Sequence, residues 1–218
     1  MSKTQQLALD YPEWGGSRRG AGRKSASPIA RVEHRARPRL SKHVPVHVTL
    51  RLARGLPTLR QGRSHRALLD AFAAGADRRG LRVVHYSVQS NHVHLVCEAE
   101  HQRALSRGMQ GLCVRIARGL NRLWHRAGKV FDDRYHCRQL RGPREVRNAL
   151  GYVLKNARHH GLAVTGGMDP YSSASWFDGW KRRSPTFELV MRTCPLARAR
   201  TWLMTIGWKK RGLLDPVA

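Results

Sequence analysis

The run Asn91-His92-Val93-His94-Leu95-Val96 constrains this chain more than any other stretch. It reads as a β-strand, in which successive side chains alternate between faces. His92 and His94 therefore share one face, and Val93 and Leu95 pack a core from the other. Two imidazoles side by side offer lone pairs to one divalent metal. Taken alone, a His-x-His triplet is more often structural than metal-binding. The rest of the chain has to supply a third ligand, a nucleophile and a substrate.

Hydrophobic periodicity predicts the elements around this strand. Residues 44–52 (VPVHVTLRL) alternate Val46, Val48, Leu50 and Leu52 with His47, Thr49 and Arg51, as a strand does. Residues 64–79 form a helix with Leu68, Leu69, Phe72 and Ala76 inward. Residues 81–88 and 91–98 form two strands joined at Ser90-Asn91. Residues 102–126 form a long helix, with Leu105, Met109, Leu112, Ile116, Leu120 and Trp124 at three- and four-residue steps. A strand follows at 134–140. Pro143 opens a helix that runs to His159 or His160 and stops at Gly161. The expected class is α+β: a ferredoxin-like β-α-β-β-α-β antiparallel sheet with helices on one face, then a C-terminal helix and a Trp-rich tail.

The chain divides into three parts: a basic arm at 1–40, a domain at 41–162 and an extension at 163–218 that packs on the core. The extension carries Trp176, Trp180, Trp202 and Trp208. Core packing is the plainer role for each Trp, and stacking on bases the alternative.

Charge narrows the partners. The 218 residues hold 41 Lys and Arg against 14 Asp and Glu, a formal net charge of +27. Such an excess repels itself unless a polyanion is near. Nucleic acid is the expected partner, since each neutralised phosphate releases counterions. Arg18, Arg19, Arg23 and Lys24 in the Gly-rich arm and Arg118 and Arg122 on the long helix are the candidate phosphate contacts. The cysteines, Cys97, Cys113, Cys137 and Cys194, contain no C-x-x-C pair, which speaks against a zinc ribbon. A reduced cytoplasmic, nucleoid-associated setting fits them, and no membrane partner is expected.

On the helix from Pro143, Val146, Ala149, Leu150, Val153 and Ala157 form the inward stripe. Glu145, Asn148, Tyr152 and Asn156 flank it, with Tyr152 and Asn156 one turn apart. A phenol and an amide at the edge of a buried face look into one cleft, and an amide oxygen suits a hard divalent metal.

With these residues in view, the chain resembles the HUH endonucleases with a single catalytic tyrosine, the small prokaryotic transposases of single-stranded DNA. Within them it is most similar to the REP-associated tyrosine transposases. The resemblance rests on Gln89-Ser90-Asn91-His92-Val93-His94-Leu95-Val96, on Arg134-Tyr135-His136 and on Tyr152-Val153-Leu154-Lys155-Asn156, and covers roughly residues 40–180. It implies that His92, His94 and Asn156 hold Mg²⁺ or Mn²⁺ and that Tyr152 is the nucleophile. It further implies cleavage and rejoining of single-stranded DNA near hairpins through a 5′-phosphotyrosine, in a chain that can act as a homodimer. The family often carries Gln where this chain has Asn156, one methylene longer. The alternative is a catalytically inactive DNA or RNA hairpin-binding protein; a ribosome-associated RNA binder gives no reason for the histidine pair and Tyr152 to coexist.

Overall fold

The computed structural model describes residues 39–159, 168–182 and 193–216. Arg18, Arg19, Arg23 and Lys24 lie outside the described residues. The described chain runs β1 (Val46–Arg51), α1 (Gly62–Gly75), β2 (Asp77–Arg78), β3 (Leu81–Val88), β4 (His92–Ala99), α2 (Gln102–Leu123), β5 (His136–Gln139), α3 (Pro143–Leu154), α4 (Asn156–His159) and α5 (Trp202–Thr205). One sheet holds all five strands in the order β2-β3-β4-β1-β5, every neighbour antiparallel. The two-residue β2 is the one strand the periodicity did not predict. It is too short to alternate, and a two-residue turn at Arg79-Gly80, both with positive φ (53° and 73°), folds it back on β3.

Alternation splits the sheet into two differently used faces. Val46, Val48 and Leu50 of β1 and Val93, Leu95 and Cys97 of β4 point to one layer, filled by Leu68 and Phe72 of α1 and by Leu105, Met109, Leu112, Ile116 and Leu120 of α2. Gly108 lets α2 approach β3: a Cβ there would stand 2.4 Å from the Leu81 Cβ. Gly108→Ala is expected to cost about 1–3 kcal/mol from overpacking, outweighing the better helix propensity of Ala. Urea unfolding measures it.

The other face is covered too, which corrects the expectation of helices on one face only. Val84 and Val96 form a second layer with Val146, Leu150 and Val153 of α3 and with Phe177, Trp180, Met204 and Trp208. The sequence carried a trace of this. β3 carries Val83-Val84 and β4 carries Leu95-Val96-Cys97, apolar runs that put a hydrophobic side chain on each face, as in strands buried on both sides. A bulge between Val83 and His85 also sends Val84 to the second layer. Phe177 stacks on Trp208 at 5.4 Å, and the Trp180 and Trp208 indoles donate to the Ala174 and Met204 carbonyls. Trp202 is half exposed, with the Lys210 ammonium 5.4 Å from its ring.

Two buried carboxylates, Asp169 and Glu98, tie these later segments to the sheet. Arg60 donates to both oxygens of Asp169, at 2.9 and 2.8 Å, and also to the Val88 carbonyl. Glu98, fully buried at the end of β4, accepts from Arg82 Nε at 3.0 Å and from the backbone N–H groups of Arg200 and Thr201.

His85 is half-buried beneath this second layer, its Nδ1 3.2 Å from the Ser173 hydroxyl. Burial lowers its pKa from 6.5 to about 4, against the opposing pull of Asp178 and Glu98. The folded state therefore holds it neutral, while the unfolded chain protonates it first as pH falls. Its contribution to stability is full above pH 6.5 and is lost as pH drops towards 4. From pH 7 to pH 5 this group is expected to remove about 2 kcal/mol. Urea midpoints at the two pH values, for the parent and His85→Gln, test it: the variant falls less steeply. His47 titrates over the same range, so some slope remains.

Candidate active site

The outward residues of β4 divide its second face by task. Glu98 clips the tail, Val96 lies under α3, and His94 and His92 emerge at the far end. The register sets Thr49 of β1 on one side of His94 and Ser87 of β3 on the other, with Arg51 opposite His92. The β1–β5 pairing adds His136 beside Thr49 and Arg138 beside His47.

His92 and His94 lie ring to ring, with centroids 4.8 Å apart, as the alternation predicts. The Nδ1 of His92 is 2.8 Å from the Asn91 side-chain oxygen. That oxygen only accepts, so Nδ1 carries the proton and Nε2 presents its lone pair. His94 is buried and its Nδ1 is 3.1 Å from both His47 Nε2 and Thr49 Oγ1. Both histidines are thus oriented through Nδ1, the arrangement that directs Nε2 of a ligating imidazole at a metal. His47 is itself held down to about pKa 4, by burial first and then by His136 and Arg138, so it supports His94 as a neutral ring.

Tyr152 projects from α3 onto this pair. Its ring centroid is 5.2 Å from His94 and 5.9 Å from His47, and 39% of the residue is exposed. A phenol standing on imidazoles of the central strands β4 and β1, and itself partly exposed, is open to a polymer from solvent. The continuous helix expected for 143–159 is not what forms. α3 ends at Leu154, Lys155 leaves helical geometry at φ −110° and ψ 12°, and α4 begins at Asn156. No Gly or Pro marks the break, and the apolar spacing runs through it, so the periodicity carried no sign of it. Asn156 is fully buried rather than on the flank, and its side-chain oxygen and nitrogen have no hydrogen-bond partner among the described residues. A buried amide left so costs about 1–3 kcal/mol unless a water or ion satisfies it.

Among the described residues no group of three or more His, Cys, Asp or Glu is arranged to hold a metal. A cation here needs a ligand of another kind, and the oxygen of the unpartnered Asn156 amide has the right chemistry to be one.

Arg118 and Arg122 do not join the site. They are exposed on α2, whose buried side packs on the opposite face of the sheet. Helical periodicity gives a residue's direction around its helix, not which face of the sheet the helix covers. The cations that strand register does place on the site face are Arg51 and Arg138, both exposed. Those two, with His47 and Thr49, are what the sequence reading missed. The alternation in 44–52 already set His47, Thr49 and Arg51 on one face, but the pairing of β1 with β4 was needed to bring them to His94.

Among the described residues no helix is long and apolar enough to cross a membrane. No curated protein matches the chain. The fold is similar to that of a solved REP-associated tyrosine transposase bound to a REP hairpin, at TM-score 0.53 and 15% identity, over 65% of this chain and 82% of that one. A transposase-like protein from Deinococcus radiodurans R1 also matches at 15% identity, over 62% of this chain and all of its own, with a TM-score of 0.39 that is too low to argue from. The family model described as "Transposase IS200 like" matches residues 42–156, more than half of the sequence and all of the strands, histidines and tyrosine described above. The chain belongs to the IS200-like transposase family.

Proposed function

We propose that this protein nicks and rejoins single-stranded DNA beside hairpins, with Tyr152 as nucleophile and a divalent metal, Mg²⁺ or Mn²⁺, held by His92, His94 and Asn156. The observation that carries this reading is Tyr152 standing 5.2 Å from His94, itself 4.8 Å from His92, in a chain of the IS200-like transposase family. The strand order, read without β2, supports the ferredoxin-like topology expected for such a site. A bound metal would polarise the scissile phosphate and offset its developing charge. The residues do the rest. Tyr152 attacks phosphorus as its phenol proton leaves, the P–O3′ bond breaks, and the products are a 5′-phosphotyrosine and a free 3′-OH. Because the phosphotyrosine retains the energy of the original ester, a second 3′-OH can reverse the step and join strands. His47 and Thr49 hold His94 in its tautomer. Arg51 and Arg138 supply positive charge on the same face for the flanking phosphates.

The test is a denaturing gel of protein mixed with single-stranded oligonucleotides covering the palindromes that flank its gene, with Mn²⁺ or EDTA. A metal-dependent covalent adduct supports the reading. Tight hairpin binding with no adduct in Mn²⁺ identifies a binding protein instead.

A further inference from the structure

The indoles of the tail are used in two ways. Trp180 and Trp208 are buried and donate to backbone carbonyls. Trp202 is 50% exposed, and among the described residues no such bond holds its indole. Its ring is nonetheless fixed. Thr201, the residue before it, donates its N–H to buried Glu98 at 2.7 Å and caps α5 through its hydroxyl. The six-membered ring is seated against Gly207, where a Cβ would stand 2.6 Å from Cζ3 and 2.9 Å from Cε3. Ile206, one turn on and 54% exposed, extends the apolar surface.

Charge says what this surface meets. The Lys210 ammonium is 5.4 Å from the Trp202 ring, and exposed Arg211 follows it. The nearby Lys209 and Arg200 are met by Asp178 and Asp77, at 3.1 and 3.5 Å. Lys210 and Arg211 have no carboxylate partner among the described residues.

We infer that Trp202 is a stacking platform for a base of single-stranded nucleic acid, with Lys210 and Arg211 holding the phosphates beside it. A fixed aromatic ring with cations at its rim suits unpaired bases, whose faces are open, and not a duplex, whose bases cover one another. A second copy of a +27 chain is repelled. Trp202 belongs to the C-terminal extension, yet it lies on the Tyr152 side of the sheet, since α5 packs in the layer of α3. Its anchor, Glu98, is four residues along β4 from His94, about 13 Å of strand, so the base taken here lies beyond the bond that Tyr152 attacks. The inference rests on the DNA-acting reading for the class of polymer, and not on the chemistry of Tyr152.

The experiment uses the full chain carrying Tyr152→Phe, so that no cleavage intervenes. Binding of a thymidine oligonucleotide, and of an abasic oligonucleotide of the same length, is measured over a range of salt. Trp202→Leu keeps an apolar side chain of good helix propensity and removes the aromatic face, whereas Trp202→Tyr keeps one. Trp202→Leu is expected to weaken binding of the thymidine oligonucleotide by about tenfold with an unchanged salt slope, and of the abasic one by less than about twofold. Trp202→Tyr is expected to stay within about threefold of the parent. Lys210→Ala is expected to weaken both oligonucleotides and to make the salt slope shallower by about 0.7. Equal losses on the two oligonucleotides, or Trp202→Tyr as weak as Trp202→Leu, would overturn the platform. So would a Trp202 emission, taken as parent minus Trp202→Tyr, that responds to anionic phospholipid vesicles and not to the thymidine oligonucleotide. Tight binding indifferent to Trp202 overturns the platform alone. A parent that binds neither oligonucleotide overturns it together with the DNA-acting reading.

Discussion

Tyr152→Phe is expected to abolish the covalent DNA adduct, by about a thousandfold or more, while hairpin affinity stays within about twofold. The change removes only the oxygen that would bond to phosphorus. The ring keeps its edge contacts with His94 and His47, at 5.2 and 5.9 Å. Tyr152 is 39% exposed, so losing the hydroxyl should alter stability by less than about 0.5 kcal/mol. The measurement pairs the denaturing gel with a native binding titration on the same preparation. An adduct that survives in the variant would move the nucleophile elsewhere. The other described tyrosines are poorer candidates. Tyr86 is fully buried in the α1–α2 layer and burial raises its pKa, Tyr135 packs half-buried against that same layer, and Tyr171 lies under the Arg60 guanidinium, 4.5 Å from its ring.

Glu98→Ala should be the most destabilising single change at a polar position. The carboxylate is fully buried and accepts from Arg82 and from the N–H groups of Arg200 and Thr201. Removing it strands a largely buried guanidinium, at a cost of about 3–5 kcal/mol. It also frees the backbone where Thr201 caps α5, so the loss should reach the layer built by Met204 and Trp208. Glu98→Gln keeps an acceptor for Thr201 and should cost less. Urea or thermal unfolding ranks the three proteins, and an unaltered Glu98→Ala midpoint would refute the role assigned to this anchor.

The layer under α1 and α2 was legible in the sequence because its residues repeat at strand and helix periods. The same alternation placed His92 and His94 together and set Tyr152 at the edge of an apolar stripe. What periodicity cannot report is pairing between distant strands. His47 and Thr49 reach His94 only through the β1–β4 register, and Arg118 and Arg122 fall behind the sheet because α2 crosses that side. Nor does it report a local departure from helix that keeps the apolar spacing, as at Lys155, where Asn156 turns from the flank into the interior.

The division of β4 into an inward set that packs on α1 and α2 and an outward pair of histidines also bears on how such a protein ages. Replacing His92 or His94 removes no atom from the apolar layer under α1 and α2. If the proposed chemistry is lost, a descendant therefore still keeps this packed layer, and selection on folding alone does not clear it. Melting temperature and expression level then carry no record of whether a given copy has the proposed activity.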